Sequence, residues 1–367
     1  MSSVHLLRRL GLKEALALVI GSVIGTGVFL KTAVMAQQAG SPTYVLLAWL
    51  VAGVLSLMGA LSYAELGCHY PEAGGEYIYL REGYGPLPGF LYGWMRFWIG
   101  TPGGIAAYAV GAATFSSVFL PQINPTTVAL VWIVSFTFLN CFSVAFGGGV
   151  QTLVTILKVL MVLGLTLMIF FRVPAAEGIT HMQTTVGFQG WNGFGAAVLA
   201  ALWAFDGWNN LPMAAGEIRN PQRVIPRSLG LGMALVFLIY AVANLAYFIA
   251  LPYDEILTAN STAHPDALPV ATKAAAQIFG PSAVGLISIA FVISALGAMN
   301  GSILTGARVP YAMAQDGLFF PQLAKLSQWT HTPILSVIVQ GAWACVLAVS
   351  GTFDQLTDYV VFASWIF

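Results

Sequence analysis

Apolar residues dominate this chain in long stretches, and polar connectors rich in Gly and Pro separate them. A window of about 20 apolar residues is long enough to cross the hydrocarbon core of a bilayer as a helix. The last such window reaches the end of the chain before it has the length of a full crossing, so we expect the sequence to be truncated within its tenth helix. The pattern predicts ten spans near residues 14–38, 44–68, 87–119, 126–146, 150–172, 192–215, 229–251, 280–308, 333–350 and 356–367.

Three glycines interrupt the first span near its middle. Gly21, Gly25 and Gly27 lie in the run ALALVIGSVIGTGVFL, which extends from Ala15 to Leu30. Each glycine costs a helix roughly 1 kcal/mol relative to alanine, and an opened turn exposes backbone groups that lipid cannot satisfy. Such a break is typical of a membrane helix that binds a polar ligand. Close packing of helices through small residues is the alternative.

A second break is predicted in the sixth span, at Asp206 and Gly207 in ALWAFDGWNNLPMAAGE. Five spans separate the two breaks, so the two broken helices enter the membrane from opposite sides. This arrangement predicts two inverted five-helix repeats, residues 1–173 and 174–367, with the second incomplete at its C-terminus and a substrate site between the breaks. Packing glycines would not need to recur at corresponding places in both halves, which favours the binding interpretation.

Composition and charge agree with a membrane location. Hydrophobic residues make up 58% of the 367 positions and charged residues 8%, with a mean hydropathy of +0.82, whereas about a quarter of a soluble chain is charged. The net charge is zero, which gives no support for a nucleic-acid partner. We expect a multi-pass protein of the plasma (inner) membrane. The distribution of basic residues predicts that its N-terminus is cytoplasmic. Nine would lie inside, Arg8, Arg9, Lys13, Arg81, Arg219, Arg223, Arg227, Arg308 and Lys325, against Lys31, Arg172 and Lys273 outside.

Motifs of enzymes and metal sites are missing from the sequence. Cys68, Cys141 and Cys345 lie far apart and have neither metal-ligand nor disulfide-framework spacing. There is no H-E-x-x-H, Walker A or G-x-S-x-G motif. We therefore expect no metal, no cofactor and no enzymatic activity.

Four groups of motifs resemble the amino acid–polyamine–organocation transporter family, and within it the L-type amino acid transporter branch with its bacterial serine/threonine-exchanger relatives. They follow in the family's order along essentially the whole chain. The resemblance implies an all-α membrane protein with the LeuT-type inverted repeat, in a family whose members usually have twelve helices. The motifs are GSVIGTGVF, then SYAELG with PEAGGEYIYL and GYGPLPGFLYGW, then FDGWN with GEIRNPQRVIPRS, and finally MNGSILTGARVPYAMAQDGLFFPQLAKL with HTP at 331–333.

The break in the first span offers groups that match a zwitterionic amino acid. Backbone amides at Gly25, Thr26 and Gly27 would bind the carboxylate at the start of the outer half-helix. The alternative for the Thr26 hydroxyl is a bond to its own helix. Backbone carbonyls would bind the ammonium, at Val23 and Ile24 in the first span and at Trp203, Ala204 and Phe205 in the sixth, and the family uses the same places.

Lys158 lies within an apolar run of the fifth span, where a charged residue is costly and is a functional candidate. Snorkelling towards the membrane surface is the alternative. The family resemblance implies that the Lys158 ammonium replaces sodium. It would then bridge carbonyls of the first span near Gly21 and Ile24 to a hydroxyl of the eighth span, which we assign to Ser294.

Several other side chains have two interpretations each. Asp206 either caps the half-helix that follows it or contacts the substrate or a proton, and an acidic group here favours small polar or cationic side chains. By resemblance, Trp203 closes the outer gate and Asn209 shapes the pocket; helix packing and interhelical hydrogen bonding are the alternatives. Glu65 and Arg96 are expected to form a structural ion pair or to snorkel.

These features predict a sodium-independent transporter, in the form of an exchanger, of small neutral L-amino acids such as alanine, serine, threonine or cysteine, working by alternating access. A proton-coupled symporter is the alternative within the class, and a channel or a non-transporting sensor is the alternative outside it. The loop at 120–127 has no cysteine. The resemblance therefore implies no disulfide-linked heavy subunit of the kind that eukaryotic L-type members have.

Overall fold

The computed structural model describes residues 5–183, 187–261, 263–264, 267–351 and 353–364. Within them the chain is α-helical, and the β-structure consists of isolated bridges. The first half contains α1 (Leu12–Val23), α2 (Gly27–Ala39), α3 (Pro42–His69), α4 (Glu76–Tyr84), α5 (Pro86–Met95), α6 (Thr101–Ser116), α7 (Pro125–Asn140), α8 (Val144–Arg172) and α9 (Ala175–His181).

The second half begins with two helices that flank the second break. It contains α10 (Gly190–Ala204), α11 (Asn210–Met213), α12 (Pro221–Ala250), α13 (Tyr253–Leu257), α14 (Val270–Phe279), α15 (Ala283–Gly306), α16 (Arg308–Gln315), α17 (Ile334–Ser350) and α18 (Phe353–Ser364).

Five helical stretches of the described chain are long and apolar enough to cross a membrane. The broken stretch formed by α1 and α2 has 78% of its most apolar window buried inside the protein, against 39% for α3 and 33% for α8. Large apolar side chains such as Leu50, Leu160 and Phe171 are exposed on the outer helices. The chain is therefore a multi-pass membrane protein in which the broken helix is central and the outer helices face lipid.

Two boundaries differ from the sequence prediction. The fifth span was expected to begin at residue 150, after three glycines, but α8 begins at Val144 because the Ser143 side chain accepts a hydrogen bond from the Phe146 amide at 3.4 Å and caps the helix. Residues 147–149 are helical. The connector 252–279, for which the span pattern predicts no membrane helix, contains the two helices α13 and α14.

The third span contains an irregular turn that the sequence prediction did not include. Between α5 and α6 the backbone forms a π-helical turn over Arg96–Gly100, without breaking the helix. A π turn holds an extra residue, so it rotates the side chains that follow it, and such turns occur frequently at functional sites.

Candidate functional site

The two broken helices touch each other at their breaks. Gly207 has a φ of +115°, and a Cβ atom there would lie 2.9 Å from the Ser22 carbonyl oxygen. A Cβ atom on Gly27 would lie 2.6 Å from the Ala204 Cβ. Both glycines are required because any larger side chain would push the two helices apart.

Tyr240 joins the two breaks from behind. Its buried hydroxyl lies 2.9 Å from the Val23 carbonyl oxygen and 3.0 Å from the Ala204 carbonyl oxygen, and it donates to both. These carbonyls belong to the last turns of α1 and α10, where helix carbonyls have no intrahelical partner. The Tyr240 side chain therefore holds the two helix ends together.

A cavity of about 1000 Å³ opens beside the breaks. Most of the predicted substrate residues line it, on both broken helices. Ile24 and Phe205 do not. The lining residues from the prediction are Val23, Gly25, Thr26, Gly27, Trp203, Ala204, Asp206 and Asn209.

The free amides at the first break are fewer than predicted. The Gly25 amide donates to the Val23 carbonyl at 2.7 Å in a tight turn, so it is not available to a carboxylate. In the part of the chain that the structure describes, the amides of Thr26 and Gly27, at the start of α2, have no acceptor. The buried Thr26 hydroxyl also has no partner there. The groups that can bind an anion are therefore those of Thr26 and Gly27.

The predicted set of carbonyls is also reduced. The Val23 carbonyl already accepts from the Gly25 amide at 2.7 Å and from the Tyr240 hydroxyl at 2.9 Å. The Ile24 carbonyl likewise accepts from Lys158 Nζ at 2.7 Å and from Ser294 Oγ at 2.9 Å, so both are saturated. The Phe205 ring packs against Trp49 and Tyr240 on the far side of α10. Ile24 and Phe205 therefore support the site from behind.

The Lys158 ammonium lies in a cage of carbonyl oxygens between α8, α1 and α15. Its Nζ donates to the carbonyls of Gly21 at 2.9 Å, Ile24 at 2.7 Å and Ser294 at 2.8 Å, and the side chain is 1% exposed. The contact on α15, the eighth predicted span, is the Ser294 carbonyl and not its hydroxyl as predicted. That hydroxyl donates to the carbonyls of Ile24 and Gly25 instead. A side chain this deep does not snorkel.

Three further predicted residues have definite neighbours. Asp206 is exposed to the cavity and accepts a hydrogen bond from the Gly207 backbone amide. Asn209 donates to Glu76 Oε1 at 2.9 Å. The Trp203 ring lies under the Lys31 ammonium, whose Nζ is 4.3 Å from the ring centroid.

Two charged residues line the cavity that the sequence analysis did not assign to it. Arg96 lies on the π turn, and Glu76 begins α4; both line the cavity. The expected ion pair with Glu65 is absent, since Glu65 is exposed and lies 3.6 Å from His69. Burial raises the pKa of the Glu76 carboxyl, while the Arg96 guanidinium and hydrogen bonds from Asn209 and Tyr63 oppose that rise.

The cavity extends from the breaks to one face of the protein. It reaches Tyr84, which is 78% exposed at the end of α4. The N-terminal segment lies on the same face, since the Arg8 side chain donates to the carbonyls of Ile218 and Pro71. A ligand at the breaks therefore has a route to this face.

A multi-pass membrane protein with a cavity where two broken helices meet has the architecture of a membrane transporter. The chain belongs to the amino acid permease family, whose model matches residues 10–367. It is 33% identical to the serine/threonine exchanger SteT of Bacillus subtilis, over 98% of this chain and 81% of the relative.

Other relatives are amino acid transporters as well. The mouse b(0,+)-type amino acid transporter 1 is 30% identical over 100% of this chain and 75% of its own. The human cystine/glutamate transporter is 29% identical over 99% of this chain and 72% of its own. The comparisons therefore support amino acid transport.

Proposed function

We propose that this protein is a sodium-independent exchanger of small neutral L-amino acids such as alanine, serine, threonine or cysteine. The observation that carries the proposal is the pair of unpartnered amides at Thr26 and Gly27, on the wall of the cavity at the start of α2. Backbone amides at a helix N-terminus bind a carboxylate without the help of a side chain. Every amino acid has that group, so the site fits the class.

The walls near the break favour small side chains. A Cβ atom on Gly25 would lie 3.6 Å from Tyr108 Cε1, and one on Gly27 would lie 3.6 Å from Trp203 Cζ3. Aromatic rings therefore bound the space on two sides of the amides. Asp206 adds a polar group exposed to the same space, which suits a hydroxyl or thiol better than a long aliphatic chain.

The Lys158 cage supports transport without sodium. Three carbonyl oxygens surround one ammonium at a buried junction of three helices, and carbonyl oxygens are also the usual ligands of sodium at unwound membrane helices. A tethered ammonium can occupy the place of that cation without leaving the protein. A sodium ion then has no binding site at this junction, so transport is not coupled to a sodium gradient through it.

Alternating access requires two groups of helices that move against each other. We assign residues 1–173 and 174–367 to two inverted repeats, with α1, α10, α3 and α12 in the moving group. The excess of basic residues on the N-terminal face supports a cytoplasmic position for that face. The cavity reaches that face at Tyr84, while Lys31 covers Trp203 on the opposite side of the break. This conformation corresponds to an inward-facing state of a transporter in the plasma membrane.

Proton symport is the second candidate function. The carboxyl groups of Glu76 and Asp206 both line the cavity, and a buried carboxyl can carry a proton across a conformational change. The two functions differ in what drives uptake, so one experiment separates them.

The experiment is uptake of radiolabelled L-serine into liposomes that contain the purified protein. Exchange predicts uptake that rises at least tenfold when the liposomes are preloaded with unlabelled L-serine, and little uptake into empty liposomes. Proton symport predicts uptake into empty liposomes whenever the inside is alkaline. No uptake in either condition would contradict the transport proposal.

A further inference from the structure

Arg96 lies in the cavity at some distance from the amides of the first break. It precedes Tyr108 by twelve residues on the same continuous helix, which corresponds to about 18 Å at 1.5 Å per residue. The direction is towards the N-terminal face, where the helix run begins beside α4. Because Arg96 also contacts Asn210, at the start of α11, it lies in the vestibule between the second break and that face.

The Arg96 guanidinium is poorly paired by the protein. Its Nη2 donates to Asn210 Oδ1 at 3.2 Å and to the Met213 sulfur at 3.6 Å, which are weak contacts with uncharged groups. Its Nε is buried and has no partner, and no salt bridge to Arg96 is formed among the described residues. An arginine inside a membrane protein is costly unless an anion pairs with it.

Glu76 is incompletely paired in the same way. The residue is 7% exposed, and its Oε1 accepts hydrogen bonds from Tyr63 at 2.9 Å and Asn209 at 2.9 Å. Its Oε2 is buried and has no partner in the described part of the chain. Electrostatic interaction with Arg96 reaches this carboxyl, although the two groups do not form an ion pair. One cavity thus contains a cation and a carboxyl that both lack a full set of partners.

We propose that Arg96 and Glu76 form a second amino-acid binding site in the inner vestibule, separate from the amides at the break. The α-carboxylate of the substrate binds the Arg96 guanidinium, and its α-ammonium binds Glu76 Oε2. Charged hydrogen bonds of this kind are the strong ones. The inference rests on the proposed amino acid exchange, because this site would bind a cytoplasmic amino acid before that amino acid reaches the break.

The chemistry of the ligand matches both groups at once. An incoming ammonium stabilises the ionised form of Glu76, which burial otherwise disfavours, and an incoming carboxylate supplies the anion that Arg96 lacks. The cavity volume of about 1000 Å³ is at the upper end for a drug-sized ligand. It therefore has room for a small amino acid in the vestibule as well as at the break.

The test measures the affinity for L-serine separately at the two faces, in inside-out and right-side-out membrane vesicles. Arg96→Gln should raise the half-saturating concentration at the cytoplasmic face at least tenfold and change it less than twofold at the outer face. Arg96→Lys keeps the charge and should recover part of the loss. Arg223→Gln removes an exposed arginine outside the cavity and serves as the matched control.

A second readout distinguishes ligand binding from a structural role. Ethanolamine is serine without its carboxylate, so it should compete poorly at the cytoplasmic face of the wild type, and Arg96→Gln should shrink the difference between serine and ethanolamine. Glu76→Gln should also weaken serine at that face, whereas Glu72→Gln, at an exposed position, should not.

Equal changes at both faces, or an unchanged preference for serine over ethanolamine in Arg96→Gln, would overturn the second site while exchange by the wild type stands. A wild type that does not exchange at all would instead contradict the proposed function.

Discussion

Two glycines of the first break, only two residues apart, have different roles. A methyl group on Gly25 would meet Tyr108 at an ordinary contact distance of 3.6 Å and would enter the cavity, whereas one on Gly27 would collide with Ala204 at 2.6 Å. Gly25→Ala should therefore lower L-serine affinity at least tenfold, about 1.4 kcal/mol, in a protein that still folds. Gly27→Ala should also lower thermal stability, because the broken helices must separate.

Equilibrium binding and thermal unfolding of the purified variants measure the two effects. Gly149→Ala is the control, since that exposed glycine lies in helix α8 with no atom near its Cβ position. Normal serine affinity in Gly25→Ala would return the glycines to a packing role.

Lys158 makes a prediction about coupling at the same scale. Lys158→Ala removes the ammonium from three buried carbonyls, of which Ile24 keeps the Ser294 hydroxyl as a donor. A buried group left unsatisfied costs about 1–3 kcal/mol. The first broken helix would then be freer to move without substrate. We expect exchange to fall or to become leaky uptake, while serine still protects the protein against heat. Exchange by Lys158→Ala at the wild-type rate, with unchanged coupling, would remove Lys158 from the mechanism.

At the level of helices, α15 must leave room for the lysine. A Cβ atom on Gly297 would lie 2.8 Å from Lys158 Cε, Lys158 Nζ and Val154 Cγ1. Gly297→Ala should therefore displace the ammonium and reproduce the loss of coupling expected for Lys158→Ala. Gly285→Ala, on the same helix, adds only an ordinary contact with Phe119 at 3.7 Å. Exchange and leak measured in liposomes should change in Gly297→Ala and remain at the wild-type level in Gly285→Ala.

The breaks and the buried lysine could be predicted from the sequence because each violates a local rule. Glycines in mid-membrane and a lysine in an apolar run are unfavourable unless a ligand or partner compensates. The occupation of the Gly25 amide by the Val23 carbonyl could not be predicted in this way, because it depends on the turn geometry.

The role of Arg96 was missed for a related reason. A π turn has no reliable sequence signal, and this one decides which way the third span presents its side chains. The partners of Glu76 come from α3 and from the second break, which lies more than 130 positions away. Such long-range contacts are not visible in a single sequence.

At the scale of the whole molecule, the shape of the cavity predicts substrate size. The rings of Tyr108 and Trp203 bound the space beside the amides, so L-alanine, L-serine, L-threonine and L-cysteine should compete with labelled serine far better than larger amino acids. A competition panel in preloaded liposomes measures this order. Stronger competition by leucine or phenylalanine than by serine and alanine would show that the cavity opens further than the rings allow.

The central claim is that a tethered ammonium at the junction of α8, α1 and α15 makes exchange at the two breaks independent of sodium. The direct measurement is the rate of L-serine exchange in preloaded liposomes at fixed pH, with sodium and then with choline as the only added cation. The account predicts equal rates in the two salts. A rate that collapses in choline and recovers with sodium would contradict it.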